Sequence, residues 1–245
     1  MNRFEKFEDP RRRVLLRALV AGLFSSGVLP GRALAQGVFG SRPAKLPPGQ
    51  SIYRIAGTAS VNGTPATLQT QVRPGDTVAT GKDSEMIFVV ADHSMIVRSE
   101  SRLVIEGEKK ESASLLLAGI RLLTGKLLSV SRDSRIRLTT TTATIGIRGT
   151  GWYAESDPEQ TYFCTCYGVA EIAASNDPAS KETVEAQHHD RPLYILGKPA
   201  AGKGIRNAPF INHTDQELML IETLVGRTPP FVFPKDDYTG PRREY

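Results

Sequence analysis

The chain has 245 residues and a formal net charge of +5, with a pI near 9.3. Residues 1–35 hold seven Lys or Arg residues against three acidic ones, which leaves about +1 for the remaining 210 residues. The basic character therefore belongs to the N-terminal segment, and a nucleic-acid-binding function, which needs a basic surface on the folded domain, is disfavoured. The remaining residues suffice for one well-buried domain and a tail rather than two equal domains.

The first 35 residues have the features of an export signal. A twin-arginine pair, Arg12 and Arg13, precedes an uncharged apolar stretch at 18–29, and the small-residue site A-L-A follows at 33–35. This apolar stretch is shorter than the roughly 20 residues that a membrane-spanning helix needs. We therefore expect a cleaved twin-arginine signal and a periplasmic protein without a stable membrane span; an uncleaved anchor is the alternative. Residues 36–50, rich in Gly and Pro, are expected to form a flexible lead-in.

Residues 51–200 favour an all-β domain. Short apolar runs are separated by turn signals roughly every 8 to 12 residues, which is typical of a sandwich or a jelly-roll-like fold. Residues 201–245 differ, because Thr214 is a suitable N-cap, Glu217 completes a capping box and Gly226 is a stop signal. We expect one short helix there, with its apolar face packed on the β-domain, followed by an extended tail.

Five segments follow one another in an order that resembles the FecR-like domain family. They are G-T-A-S-V-N-G at 57–63, V-R-P-G-D-T-V-A-T-G at 72–81, F-V-V-A-D-H-S-M-I-V at 88–97, L-L-L-A-G-I-R-L-L-T-G-K at 115–126 and T-A-T-I-G-I-R-G-T at 142–150. The last is the most specific, because it is close to the family's T-p-x-a-x-x-g-I-R-G-T element. The resemblance spans about residues 52–175, and His93 departs from it by standing where the family usually has Gly.

The resemblance implies a FecR-type β-domain in the bacterial envelope, where the family is best known for passing signals from receptors to sigma factors. Such transducers carry a cytoplasmic segment of several dozen residues before their membrane helix, whereas about seventeen residues precede the apolar stretch here. We therefore expect envelope sensing, binding or scaffolding through contact with an envelope protein or a cell-wall component. A membrane-anchored transducer that regulates transcription is an alternative.

Two cysteines and a histidine pair form the candidate metal site. Cys164 and Cys166 are spaced i, i+2 in an expected strand, so both side chains lie on the same face. His188 and His189 follow downstream and could complete a tetrahedral zinc site, and thiolates also suit copper(I). Because adjacent residues of a strand point to opposite faces, we expect one of the two histidines to be a ligand.

Two other interpretations of the cysteines remain open. Cys164 and Cys166 could be inert packing residues, since buried cysteines often behave as small apolar side chains. They could also form a disulfide in an oxidising periplasm, although so small a loop is strained in an extended strand. A periplasmic metal-binding or redox-responsive protein that uses Cys164 and Cys166 with His188 or His189 is therefore an alternative function.

No catalytic motif accompanies these residues. The sequence lacks a G-x-S-x-G elbow, a phosphate loop, a dinucleotide fingerprint, an H-E-x-x-H zinc motif and a C-x-x-C-H haem site. We therefore expect a non-enzymatic protein. Arg148, between Gly146 and Gly149, is expected to brace a neighbouring loop. Of Trp152 and Tyr153, one is expected to face the core and the other the surface.

Overall fold

The structure, a computed structural model, describes residues 43–109, 115–199 and 204–231. These residues form thirteen strands and one helix. The strands are β1 (Ile52–Ala56), β2 (Ala59–Val61), β3 (Thr64–Pro65), β4 (Thr77–Thr80), β5 (Glu85–Val90), β6 (His93–Val97), β7 (Arg102–Lys109), β8 (Leu115–Thr139), β9 (Ala143–Ser156), β10 (Gln160–Ala174), β11 (Asp177–Ala186), β12 (Leu193–Leu196) and β13 (Ile205–Asn207), and the helix is α1 (Asp215–Leu224). The expected export signal, residues 36–42 of the expected lead-in and residues 232–245 of the tail lie outside the described residues.

All strands belong to one antiparallel sheet. Its main order is β13-β12-β10-β9-β8-β7-β4-β2-β3, while β6 pairs with β8, β5 with β6, β1 with β5, and β11 with β10. The prediction of an all-β fold with one C-terminal helix is confirmed. Among the residues described, no helix has the length and apolar character that crossing a bilayer requires.

The long strands β8, β9 and β10 form the centre of the sheet. Strand β8 pairs with β7 as far as Thr124 and with β6 from Leu127 onward, and Gly125, with a φ of +90°, lies at the change of partner. A Cβ on this glycine would lie 2.5 Å from the Cα of Ser101, so the close approach requires glycine. Strand β9 then pairs with β8 on one side and with β10 on the other.

Both faces of the three central strands are buried at residues 127–131 of β8, 151–154 of β9 and 161–167 of β10. The inner face, defined by Leu127, Trp152 and Phe163 of these strands, joins an apolar cluster to which nearly every strand contributes. The outer face is defined by the alternate residues Leu128, Tyr153, Tyr162, Cys164 and Cys166, which join a second cluster with α1. The sheet therefore encloses one core and carries another beneath its only described helix.

Helix α1 begins and ends where its sequence predicts. The Thr214 side chain accepts from the Glu217 N–H while the Glu217 carboxylate accepts from the Thr214 N–H, which forms the expected capping box. Leu218, Ile221 and Leu224 are buried on the outer face of the sheet. Burying each such side chain contributes about 1.5–3 kcal/mol, and an isolated helix this short is not stable in water. Packing on the sheet therefore maintains α1.

The expectation that one of Trp152 and Tyr153 reaches the surface is wrong. The two side chains do point to opposite faces of β9, but both are fully buried. Trp152 lies against Phe163 in the inner core, with ring centroids 6.1 Å apart. Tyr153 is covered by the segment that leads into α1, where the His213 ring stacks on it at 4.6 Å. The helix segment supplies the second layer that strand alternation alone could not reveal.

Candidate metal centre

A bulge in β10 places Tyr167 on the same side as the two cysteines. Thr165 pairs with Trp152 and Tyr167 pairs with Gly151, so Cys166 is an extra residue with no partner on β9. Cys166 and Tyr167, although adjacent, therefore both join the outer cluster. Gly151 makes this possible, because a Cβ there would lie 2.5 Å from the Tyr167 ring.

His189 reaches the cysteines from the turn after β11. Its φ of +56° is left-handed, and its N–H donates to the Cys166 carbonyl at 2.9 Å. These features place the His189 Nδ1 atom 3.5 Å from Cys164 Sγ. Asp190 stabilises the turn by accepting from the N–H groups of Gln187 and His188, which lowers the pKa of its own carboxyl. A left-handed non-glycine residue costs energy and often marks a functional site.

His213 enters the same site from the residue before the helix N-cap. Its Nε2 atom lies 3.1 Å from the Nδ1 atom of His189. Its ring packs between Tyr153 and Phe210, with centroids 4.6 and 4.5 Å away. The capping of α1 at Thr214 thus fixes the position of a side chain that would otherwise be on a loop.

Cys164, Cys166, His189 and His213, called the quartet below, offer four donor atoms that all lie within 4.8 Å of one another. Both cysteines and His213 are fully buried, and the His189 side chain is 7% exposed. Both cysteines are free thiols, so a disulfide is absent from the described residues. Two sulfurs and two imidazole nitrogens are the donor set of tetrahedral zinc sites.

The second nitrogen of each quartet histidine already has an acceptor. His189 Nε2 donates to Asp215 Oδ1 at 3.0 Å, and His213 Nδ1 donates to the Ile211 carbonyl at 2.7 Å. The nitrogens that face each other, 3.1 Å apart, are then lone-pair atoms unless they share a proton. A carboxylate or carbonyl behind each imidazole is the usual support of a metal-bound histidine, because it fixes the tautomer. The facing nitrogens can accordingly hold either a proton or a metal ion.

When the quartet holds a proton instead of a metal ion, Cys164 and His189 form an ion pair. Burial raises the pKa of the Cys164 thiol, but hydrogen bonds from Cys166, His189 and His213 outweigh this and hold that pKa well below its usual value. Burial lowers the pKa of His189, but Asp215 and Cys164 raise it to about 9. Burial, together with the neighbouring Cys164, raises the pKa of Cys166, and burial lowers that of His213. The protonated site therefore contains a thiolate, an imidazolium, a thiol and a neutral imidazole.

His188 lies outside the quartet. Its Nε2 atom is 2.9 and 3.0 Å from the two carboxylate oxygens of Asp215, and its side chain is 45% exposed. The Asp215 side chain is only 2% exposed and lies between His188 and His189. Burial raises the pKa of Asp215, but the hydrogen bonds from both histidines outweigh this and lower it. His188, His189 and Asp215 form a second group of possible ligand atoms within 4.8 Å.

The structure thus brings three of the four residues expected at the metal site together. Cys164, Cys166 and His189 belong to the quartet, whereas His188 is linked to it only through Asp215. His213 and Asp215 were missed. The sequence signal that they share is their place on either side of Thr214, the predicted N-cap, but nothing in the chain between residues 166 and 213 indicates which strand the helix covers.

Arg148 lies away from this site. Its guanidinium donates to the carboxylate of Glu171 on β10, and both side chains are about half exposed. Arg148 therefore contacts the adjacent strand of the sheet and not, as was expected, a neighbouring loop.

Comparison with known proteins gave few matches. No family model matches the chain, and the comparison with curated proteins found no match. Among solved structures, two crystal structures of a "putative anti-sigma factor" from Parabacteroides distasonis, at 2.50 and 1.65 Å resolution, match it with 11% sequence identity and a TM-score of 0.42. Each match covers 54% of this chain and 58% of the other, so the chain spans a little over half the length of those proteins.

Proposed function

We propose that this is an exported, non-enzymatic, FecR-like β-domain protein that binds one zinc ion through Cys164, Cys166, His189 and His213. One observation carries the metal assignment: four buried donor atoms lie within 4.8 Å of one another. The ring nitrogen of each histidine that faces away from the quartet donates to a protein oxygen, which fixes the orientation of the imidazole. With all four positions supplied by protein atoms, the ion has no open position for a substrate, which is typical of structural or sensing sites rather than catalytic ones.

The quartet links three segments that are distant in the chain. Its ligands come from β10, from the turn after β11 and from the residue before the N-cap of α1. A bound ion would therefore fasten the helix segment to the sheet, and its binding free energy would add to that of the folded state. Metal occupancy could in this way change how firmly α1 is held, which is the property that an envelope sensor or scaffold needs to respond to its surroundings.

Metal content and cobalt substitution test the assignment. We expect one zinc ion per chain in protein purified without chelators, and we expect the Co²⁺-substituted protein to show sulfur-to-cobalt charge transfer and a tetrahedral ligand-field band. Cys164→Ser and His213→Ala should abolish or strongly weaken both signals. Thr165→Ser is the matched control, because Thr165 lies between the two cysteines, is buried and points to the opposite face of β10. Folded wild-type protein that takes up neither zinc nor cobalt would refute the assignment.

Binding affinities measured for variants of Cys164, Cys166 and His213 decide between zinc and copper(I). Copper(I) prefers thiolates to imidazoles and is satisfied by fewer ligands. If copper(I) occupied the site, the binding affinity should depend on Cys164 and Cys166 but hardly on His213. A zinc site should lose affinity on replacement of any of the three.

A redox-responsive thiol pair is the second candidate. It is favoured by the arrangement of Cys164, His189 and Asp215, in which a low-pKa thiol faces an imidazole that a carboxylate orients. Full burial of Cys164 opposes this function, because a substrate or oxidant cannot reach the sulfur without displacing the helix segment. Thiol trapping of the metal-free protein tests it: reversible interconversion of reduced and oxidised forms would support a redox role, and permanently reduced, slowly alkylated thiols would exclude it.

A further inference from the structure

Asp215 contacts two imidazoles that differ in their access to solvent. Its Oδ1 atom lies 3.0 Å from His188 Nε2 and 3.0 Å from His189 Nε2, and its Oδ2 atom lies 2.9 Å from His188 Nε2. The side chain of His188 is 45% exposed, that of Asp215 2% and that of His189 7%. These three residues therefore form a continuous series of donor atoms from the surface to the buried quartet.

A cavity adjoins the exposed end of this series. It has a volume of about 620 Å³, and its walls include Tyr167, Gln187, His188 and Phe231. Within the described part of the chain, none of the quartet residues lines it. The Phe231 and Phe210 rings cover the histidines instead, with centroids 4.6 Å from His188 and 4.3 Å from His189 respectively. An ion that arrives through the cavity meets His188 before any other member of the site.

An ion needs such a series because a bare charge cannot cross an apolar layer. Moving a small ion from water into a low-dielectric interior without ligands costs many kcal/mol. Each water molecule that the ion loses must accordingly be replaced by a protein donor as it moves inward. His188 and Asp215 supply one imidazole nitrogen and two carboxylate oxygens, which are ligands that zinc accepts.

His189 belongs to both groups through different nitrogens. Its Nδ1 atom faces the quartet, and its Nε2 atom faces Asp215. A neutral imidazole has one lone pair, so His189 can be a ligand on one side only. His189 becomes a quartet ligand when the Nδ1 proton leaves to solvent and Nε2 carries the proton that Asp215 accepts. The outer group then keeps only His188 and Asp215 and binds the ion weakly. The two positions therefore cannot both use His189 as a ligand at the same time.

We propose that His188 and Asp215 form an outer metal position through which zinc passes between the cavity and the buried quartet, with His189 as the ligand common to both steps. This inference depends on the proposed zinc site. It assigns the kinetics of loading and release to His188, and the affinity of the loaded protein to the quartet.

Metal transfer from a coloured chelator separates these two quantities. Zinc bound to 4-(2-pyridylazo)resorcinol is mixed with metal-free protein, and the loss of its absorbance gives both the rate and the final extent of transfer. For His188→Ala we expect the rate to fall by about tenfold or more while the final zinc content stays at the wild-type value. Removal of zinc by excess chelator should slow by a similar factor, since the same route serves both directions.

Gln187→Ala is the matched control. Gln187 is the exposed neighbour of His188 and lines the same cavity, but its side chain is not among the possible ligands. Its variant should load at the wild-type rate. If His188→Ala also loads at that rate, the outer position is not on the route and the inference is wrong. If wild-type protein takes no zinc at all, the proposed function fails as well, so the two failures are distinct.

A second variant tests the outer position directly. In Cys164→Ser/Cys166→Ser the quartet loses both thiolates, and Co²⁺ should bind weakly with a nitrogen-and-oxygen spectrum that lacks sulfur charge transfer. This residual binding should disappear when His188→Ala is added. Residual binding that survives removal of His188, or its absence in a double variant whose circular dichroism is that of the wild type, would contradict the outer position.

Discussion

The two faces of β8, β9 and β10 both bury apolar side chains, but they differ in the ionisable groups that are buried with them. The inner face buries aliphatic and aromatic side chains such as Leu127, Trp152 and Phe163. The outer face buries two thiols, and the segment that covers it brings in His213, Asp215 and Glu222, all nearly or fully inaccessible to solvent. Burying ionisable groups is costly unless each is paired, and groups with strongly shifted pKa values concentrate at functional sites. The inner face thus maintains the fold, and the outer face is the candidate for function.

The charges beneath α1 that lie away from the quartet have protein partners. Arg98 bonds to Glu217 at 3.0 Å, and Glu222 accepts from Arg227 at 2.7 Å and from the Tyr167 hydroxyl. These contacts neutralise the helix face without any bound group. The quartet differs, because its facing imidazole nitrogens need an added proton or a metal ion. That difference distinguishes a structural charge network from a binding site on the same face.

The largest expected effect is on the inner face. Trp152→Ala should lower the free energy of unfolding by about 3–5 kcal/mol, the usual loss when a buried tryptophan is truncated. Urea unfolding with excess zinc and with a chelator should give the same loss, because Trp152 points away from the quartet. A loss that depended strongly on zinc would mean that the two faces are not energetically independent.

Zinc should stabilise the outer face by a comparable amount. At a free zinc concentration between 100 and 1,000 times the Kd, a single site adds about 2.7–4.1 kcal/mol to the free energy of unfolding. Cys166→Ala should lose this increment while unfolding in chelator close to the metal-free wild type. The comparison requires four unfolding curves, wild type and variant with and without zinc. An equal zinc response in Cys166→Ala would exclude Cys166 as a ligand.

A smaller effect should follow removal of the carboxylate behind His189. Asp215→Asn leaves all four quartet donors in place but weakens the acceptor that orients His189, so the zinc affinity should fall by about 10–100-fold. Glu217→Gln is the control, because Glu217 lies one half-turn further along α1 and bonds to Arg98 rather than to the quartet. Competition titration against a chelator should give a wild-type affinity for this control, even if α1 is less stable. Equal affinities for all three proteins would mean that Asp215 does not position the ligand.

Local features of the fold could be predicted from the sequence because they depend on neighbours in the chain. The capping box of Thr214 and Glu217 is determined by three consecutive peptide units, and the apolar face of α1 by helical periodicity. The all-β class was equally accessible from alternating apolar runs. The burial of both Trp152 and Tyr153 was not, because it depends on a helix about sixty residues further along the chain that covers the outer face.

Two of the four quartet residues could be recognised from a local sequence pattern, and the other two could not. The i, i+2 spacing of Cys164 and Cys166 implied a shared face, and the bulge in β10 preserved it. His189 and His188 were distinguishable only by the left-handed turn that sends one inward. His213 had no spacing relation to the cysteines, since its position depends on which strands α1 packs against. A metal site built from distant segments can be recognised in sequence only by its locally paired ligands.

The smallest expected effect is at Arg148, although its segment is the most family-like part of the sequence. Arg148 and Glu171 are 49% and 52% exposed, and exposed ion pairs typically contribute about 0.2–1 kcal/mol. A double-mutant cycle of Arg148→Ala and Glu171→Ala should give a coupling energy in this range that shrinks at high salt. Arg98→Ala is the contrasting variant, because the Arg98 side chain is 10% exposed and its loss leaves Glu217 and the Asn212 carbonyl without their shared donor. Its cost should be several times larger, and equal costs for the two arginines would show that burial does not determine which charge stabilises the outer face.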